Sequence, residues 1–170
     1  MSRPVTPELP TSYQHYIDLV PEPDIFSALE NQQKELQIFL GSIHTSKVDY
    51  AYAPDKWTVA QVLQHCIDAE RIYAYRSLRI ARGDKTPLPG WDEKEYGTMA
   101  PADGRTLLDL TEEIMVMRKS NTLLFVSLPE DAWSRAGTAN NKPMDVLSLA
   151  YLIVGHMRHH IKILQERYGL

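Results

Sequence analysis

Three histidines are the residues here whose type and spacing could do chemistry. His156 and His160 lie in Val154-Gly155-His156-Met157-Arg158-His159-His160-Ile161. On a helix, residues four apart stack on one face, one turn above the other. His65 lies in Trp57-Thr58-Val59-Ala60-Gln61-Val62-Leu63-Gln64-His65-Cys66, a segment with its own helical pattern. Two imidazoles from one helix and a third from its neighbour make a three-nitrogen site for one divalent ion, with a position left open. Neutral ligands leave most of the ion's charge intact, so the site would lower the pKa of a water or of a cosubstrate thiol. Attack by water and attack by thiolate are served equally well.

The surroundings supply further candidates. Each ligating imidazole needs a partner for its other N–H. Asp68 and Glu70 are candidates near His65, and Glu166 near His160, with pairing to Arg71 the competing role for the first two. Asp92, Glu93, Glu95 and Tyr96 follow the His65 helix, in the only acidic and aromatic segment free to cap the open side of the ion. Asp92 and Tyr96 are therefore the candidate catalytic residues. His159 points about 100° around the helix from His160 and falls on the rim. His15 and His44 read as surface residues. Cys66 reads as a small buried apolar group, and Trp57 and Trp91 as core or cover. Asn121 interrupts an apolar stripe, where it donates to the site or satisfies a buried carbonyl.

Helical elements must position these side chains. Prolines at 4, 7, 10, 21 and 23 make residues 1–23 an arm, which Tyr13, Tyr16, Ile17 and Leu19 attach to the body through one helical turn. A first helix is expected over about 24–43, capped by Asp24. A second starts at Thr58, which forms a capping box with Gln61, and stops at Gly83. His65 shares a stripe with Val62, Ala69 and Ile72. Residues 84–103 form a long crossover. A third helix spans about 104–127, with Asp103 as its cap, and a fourth about 143–168, with Pro143 in its first turn and Gly169 past its end. No stretch alternates like a strand. The pattern is all-α: a four-helix bundle with a long crossover, one domain over 1–170.

Composition narrows the function. The chain has 170 residues and a net charge of −4, without the basic face of a nucleic-acid binder. Its N-terminus has no apolar core of a signal peptide, and no apolar run reaches the ~20 residues that span a bilayer. Cys66 is the one cysteine, so no internal disulfide forms. A cytoplasmic protein acting on a small molecule is expected. The arm and the tyrosines of the second helix offer surface for a homodimer.

Lys56-Trp57-Thr58-Val59-Ala60-Gln61-Val62-Leu63-Gln64-His65, Asp68-Ala69-Glu70-Arg71, Leu88-Pro89-Gly90-Trp91-Asp92 and Gly155-His156-Met157-Arg158-His159-His160 together resemble the DinB-like, or YfiT-like, superfamily. The resemblance covers essentially the whole chain. It implies a four-helix bundle and a divalent ion, nickel or zinc, on His65, His156 and His160. Members include metal-dependent hydrolases and thiol-dependent S-transferases and isomerases that use a low-molecular-weight thiol as cosubstrate. Two readings follow: a metal-dependent transferase or hydrolase, or a non-catalytic metal-bearing module for binding or sensing.

Overall fold

The structure, a computed structural model, describes residues 11–100, 102 and 104–170. Its helices are α1 (Thr11–Asp18), α2 (Ile25–Ser42), α3 (Val59–Ala81), α4 (Glu93–Met99), α5 (Leu107–Val126) and α6 (Val146–Tyr168). The long ones, α2, α3, α5 and α6, form the bundle. The most extensive contact is between α3 and α6, the helices that carry the histidines, and α1 lies on α6. No helix among the described residues is long and apolar enough to cross a membrane.

Local chemistry sets the helix ends. Asp24 accepts from the backbone N–H groups of Phe26 and Ser27, both at 3.0 Å. Thr58 and Gln61 close a reciprocal capping box, which satisfies two donors of the first turn of α3. Gly169 ends α6 in the left-handed region, at φ 67°, where a side chain would clash. Between these ends, buried Leu29, Leu36, Leu63, Ile67, Leu110, Ile114, Leu149 and Leu164 fill the core. Each such burial is worth roughly 1.5–3 kcal/mol.

Five expectations change. The third helix begins at Leu107 rather than 104, because Gly104 has φ +79° and cannot be helical. Its cap is Thr106, boxed with Asp109; Asp103 lies outside the described residues. The arm holds two helical turns in α1 rather than one, and residues 1–10 lie outside the described residues. Finally, a hairpin precedes α6, with β1 (Ala136–Ala139) antiparallel to β2 (Lys142–Asp145). Asn140 and Asn141 turn it with φ 52° and 59°, a left-handed pair suited to a two-residue hairpin loop. Pro143 therefore sits in β2, opposite Thr138, and Asp145 caps α6 instead.

The hairpin anchors the crossover. Leu88 N–H donates to Thr138 O at 2.9 Å, and Asn140 N–H donates to Leu88 O at 3.0 Å. The crossover is thus held at its start and carries α4, which packs on α3.

Candidate metal centre

The bundle brings His65 from α3 to His156 and His160 on α6, as the spacing predicts. The Nε2 atoms converge: His65 to His156 at 3.1 Å, and His160 to His156 at 3.2 Å. Among the described residues this is the one cluster of ligand-type side chains close enough to share an ion. Two nitrogens that far apart, each ~2.0–2.1 Å from a common ion, subtend about 100° there. That angle lies between octahedral and tetrahedral values, so the nitrogens fit a divalent cation.

The protonation state fits as well. His65 and His156 are buried, and His160 is partly so. Burial holds all three below the usual imidazole range, His65 at about 4, and the close packing of the rings adds to the effect. The rings are neutral at pH 7. With their protons on Nδ1, the three rings would present their Nε2 lone pairs to one cation.

The expected carboxylate partners are committed elsewhere. Asp68 accepts from Gln64 at 3.0 Å. Glu70 is bound bidentately by the buried Arg118, at 2.9 and 2.8 Å. Glu166 lies 3.7 Å from Lys162 at the surface. Arg71 pairs with Glu113. Asn121 donates to Glu70 at 3.1 Å, within this core network. Cys66 is buried, and burial pushes its thiol up, so it stays protonated and inert.

Aromatic rings wall the cluster. Trp57 lies 5.1 Å from the His65 ring, Tyr16 5.2 Å and Tyr73 5.9 Å from the His156 ring. His159 packs between His160, Tyr16 and His15, at the rim. The crossover rests on two of these rings. Trp91 stands 5.7 Å from Tyr73. Gly97 of α4 lies so close to Trp57 that a Cβ there would overlap the indole. The acidic and aromatic connection thus packs on Tyr73 and Trp57, two of the rings that border the histidines.

Neither catalytic candidate belongs to the histidine cluster. Asp92 caps α4, accepting from the N–H groups of Lys94 at 2.8 Å and Glu95 at 3.0 Å, which hold its carboxylate below its ordinary range. Tyr96 is half exposed and lines cavities on the outer side of α3. Its neighbour Glu93 is exposed at the start of α4, yet desolvation raises its pKa, and its charge acts on Tyr16 and Tyr73.

Tyr16 is the wall residue that spacing does not reveal. A Cβ at Gly155 would overlap the Tyr16 carbonyl oxygen, so the glycine lets α1 sit directly on α6 beside His156. A glycine inside a helix, next to a ligand-type residue, is the signal for such a close approach. Arg158 then clamps the segment, holding Glu22 at 2.7 and 2.8 Å and Glu35 at 2.9 Å.

Comparisons with known proteins give the family and the fold. The family model of the DinB superfamily matches residues 28–164, a span that includes all three histidines. YfiT from Bacillus subtilis, described as a probable metal-dependent hydrolase with an unusual four-helix bundle topology, has a similar fold. The TM-score is 0.69 at 18% sequence identity, over 99% of this chain and 94% of that one. No curated protein matches the sequence. With four-helix architecture, crossover and histidines all in place, the chain belongs to the DinB superfamily.

Proposed function

We propose that His65, His156 and His160 hold one divalent ion, nickel or zinc, and that the protein is a metal-dependent hydrolase or thiol S-transferase acting on a small electrophile. The observation that carries this reading is the convergence of three neutral Nε2 atoms at 3.1–3.2 Å. The description of YfiT as a probable metal-dependent hydrolase points the same way. When bound, the ion would act as a Lewis acid and lower the pKa of a water or thiol.

The chain's own residues would do the rest. Trp57, Tyr16 and Tyr73 exclude water around the imidazoles. Glu93, a crossover carboxyl whose pKa desolvation raises, would hold or accept the proton. Asp92 acts through α4, by fixing the turn that presents Glu93, and Tyr96 shapes the adjoining cavity. A non-catalytic metal-bearing module would need no such acid.

The test is a screen of metal-loaded protein for thiol transfer from a low-molecular-weight thiol and for ester or amide hydrolysis, against His156→Ala and Glu93→Gln. Turnover lost in His156→Ala and reduced in Glu93→Gln, with metal retained in the latter, supports an enzyme. A protein that binds metal yet turns over nothing in either screen supports the module.

A further inference from the structure

Among the described residues, Arg76 is the buried arginine that meets no carboxylate. Only 2% of it is exposed. Arg71, Arg79, Arg105, Arg118, Arg135 and Arg158 each pair with an acid, while Arg82 and Arg167 stand in solvent. Desolvating an ion costs several kcal/mol, so buried charges are normally paired.

Arg76 has neutral neighbours instead. Its Nη2 donates to Pro89 O at 2.6 Å. Its guanidinium carbon lies 4.9 Å from the centre of the Trp91 ring, and Tyr13 hydrogen-bonds its side chain. An arginine keeps its charge at neutral pH and has five N–H donors. These contacts satisfy some donors and leave the charge uncompensated.

Arg76 lines a cavity of about 150 Å³ together with Leu88, Pro89, Gly90 and Trp91. At ~30 Å³ of liquid volume per water, that is room for about five waters, enough for one oxyanion group. The cavity shares Ile72 and Tyr96 with a neighbour of about 520 Å³ lined by Asp68 and Arg71. Together they form a groove between α3 and the crossover. Hydrogen bonds between Leu88 and the hairpin brace its far wall. Trp91 links it to the histidines, since it touches Tyr73 and Tyr73 touches His156.

We propose that this cavity binds the oxyanion group of a small-molecule ligand, a carboxylate or a phosphate, gripped by the Arg76 fork while Trp91 covers the guanidinium face. The assignment deepens the functional reading above by placing a negative charge on the substrate at a point remote from the histidines. It holds whether or not the ion is present.

The test follows the arginine Nε–H resonances of the isotope-labelled full chain during titration with acetate, inorganic phosphate or neutral acetamide, at ionic strength held constant with sodium chloride. Arg76→Lys assigns the resonance. The expected result is a saturable shift of Arg76 with acetate or phosphate and none with acetamide, the tighter anion identifying the source. Binding should weaken about tenfold or more in Arg76→Lys, because a point charge lacks the bidentate fork. It should persist in His156→Ala.

Three results overturn the proposal. One is no saturable shift with either anion, which leaves Arg76 a clamp for Pro89 and Trp91. Another is unchanged binding in Arg76→Lys. The third is a response lost in His156→Ala, which puts the anion on the histidine site. Absence of metal from the wild-type protein would refute the metal reading and leave the anion response standing.

Discussion

At the middle of the bundle, Arg118 grips Glu70 with two nitrogens and Gln32 with a third, and Gln32 in turn donates to Val154 O at 2.6 Å. Five residues before Glu70 on the same helix, His65 joins the histidine cluster. Both groups are buried and polar. The first closes on itself, charge against charge and donor against acceptor, and ties α2, α3, α5 and α6 into one register. The second turns three neutral imidazoles toward one another, a set that could hold a metal ion. Placing both on one helix gives the site a rigid base, since the network beneath it fixes how α3 faces α6.

The contrast is sharpest under mutation. Arg118→Leu should lower the unfolding free energy by about 3–5 kcal/mol, because Glu70 is left charged and buried without its partner. Changing both Arg118 and Glu70 to leucine should recover much of that loss. His156→Ala in metal-free protein should cost far less, since it removes a neutral ring and leaves no buried charge unpaired. Urea denaturation measures all three, and a His156→Ala loss as large as that of Arg118→Leu would erase the distinction. Gly155→Ala comes next, at about 1–3 kcal/mol, because the new methyl must push α1 away. Faster limited proteolysis within α1 would report the displacement.

Acid should separate the two kinds of electrostatics. The buried histidines have folded pKa values below the ordinary 6.5, with His65 at about 4. Their contribution is complete above 6.5 and is lost as pH falls through the folded values, because the unfolded chain takes up protons first. Metal-free protein should therefore weaken between about pH 6.5 and 4, and added metal should oppose the loss. Glu22 is held at about 2, first by its hydrogen bonds from Arg158, so the clamp on α1 should persist below pH 4.5 and fail as pH approaches 2. Thermal melts across this range, with and without metal, test both windows. A stability that rises on acidification from 6.5 would reverse the assignment.

Asp92→Ala is the smallest change. Loss of the helix cap is confined to α4, so metal content should stay constant while turnover falls through the looser placement of Glu93. Unchanged turnover would remove Asp92 from the mechanism.

Some of this was legible in the sequence because its causes are local. Asp24, the Thr58–Gln61 box and Gly169 act within one turn of the chain, and the histidine spacing is a property of one helix. The hairpin was missed because four-residue strands give too little alternation to read, and because Pro143 next to a long apolar run imitates a helix start. Arg118 falls in the apolar stripe of α5, where periodicity expects no charge; its acceptance there depends on Glu70, 48 residues earlier. The place of Tyr16 depends on the absent side chain of Gly155, far along the chain. The pairing of Arg158 with Glu22 spans 136 residues in the same way. Such long-range complementarity leaves no local pattern.

The most direct measurement is metal analysis of untagged protein, with X-ray absorption spectroscopy of the bound ion, on the wild type, His156→Ala and the triple alanine variant of His65, His156 and His160. The expected result is one divalent ion per chain with nitrogen ligands at ~2.0–2.1 Å, lost in both variants while helical content is retained. Equal metal in the triple variant, or an ion ligated by sulfur or by oxygen alone, would contradict the assignment of the three histidines.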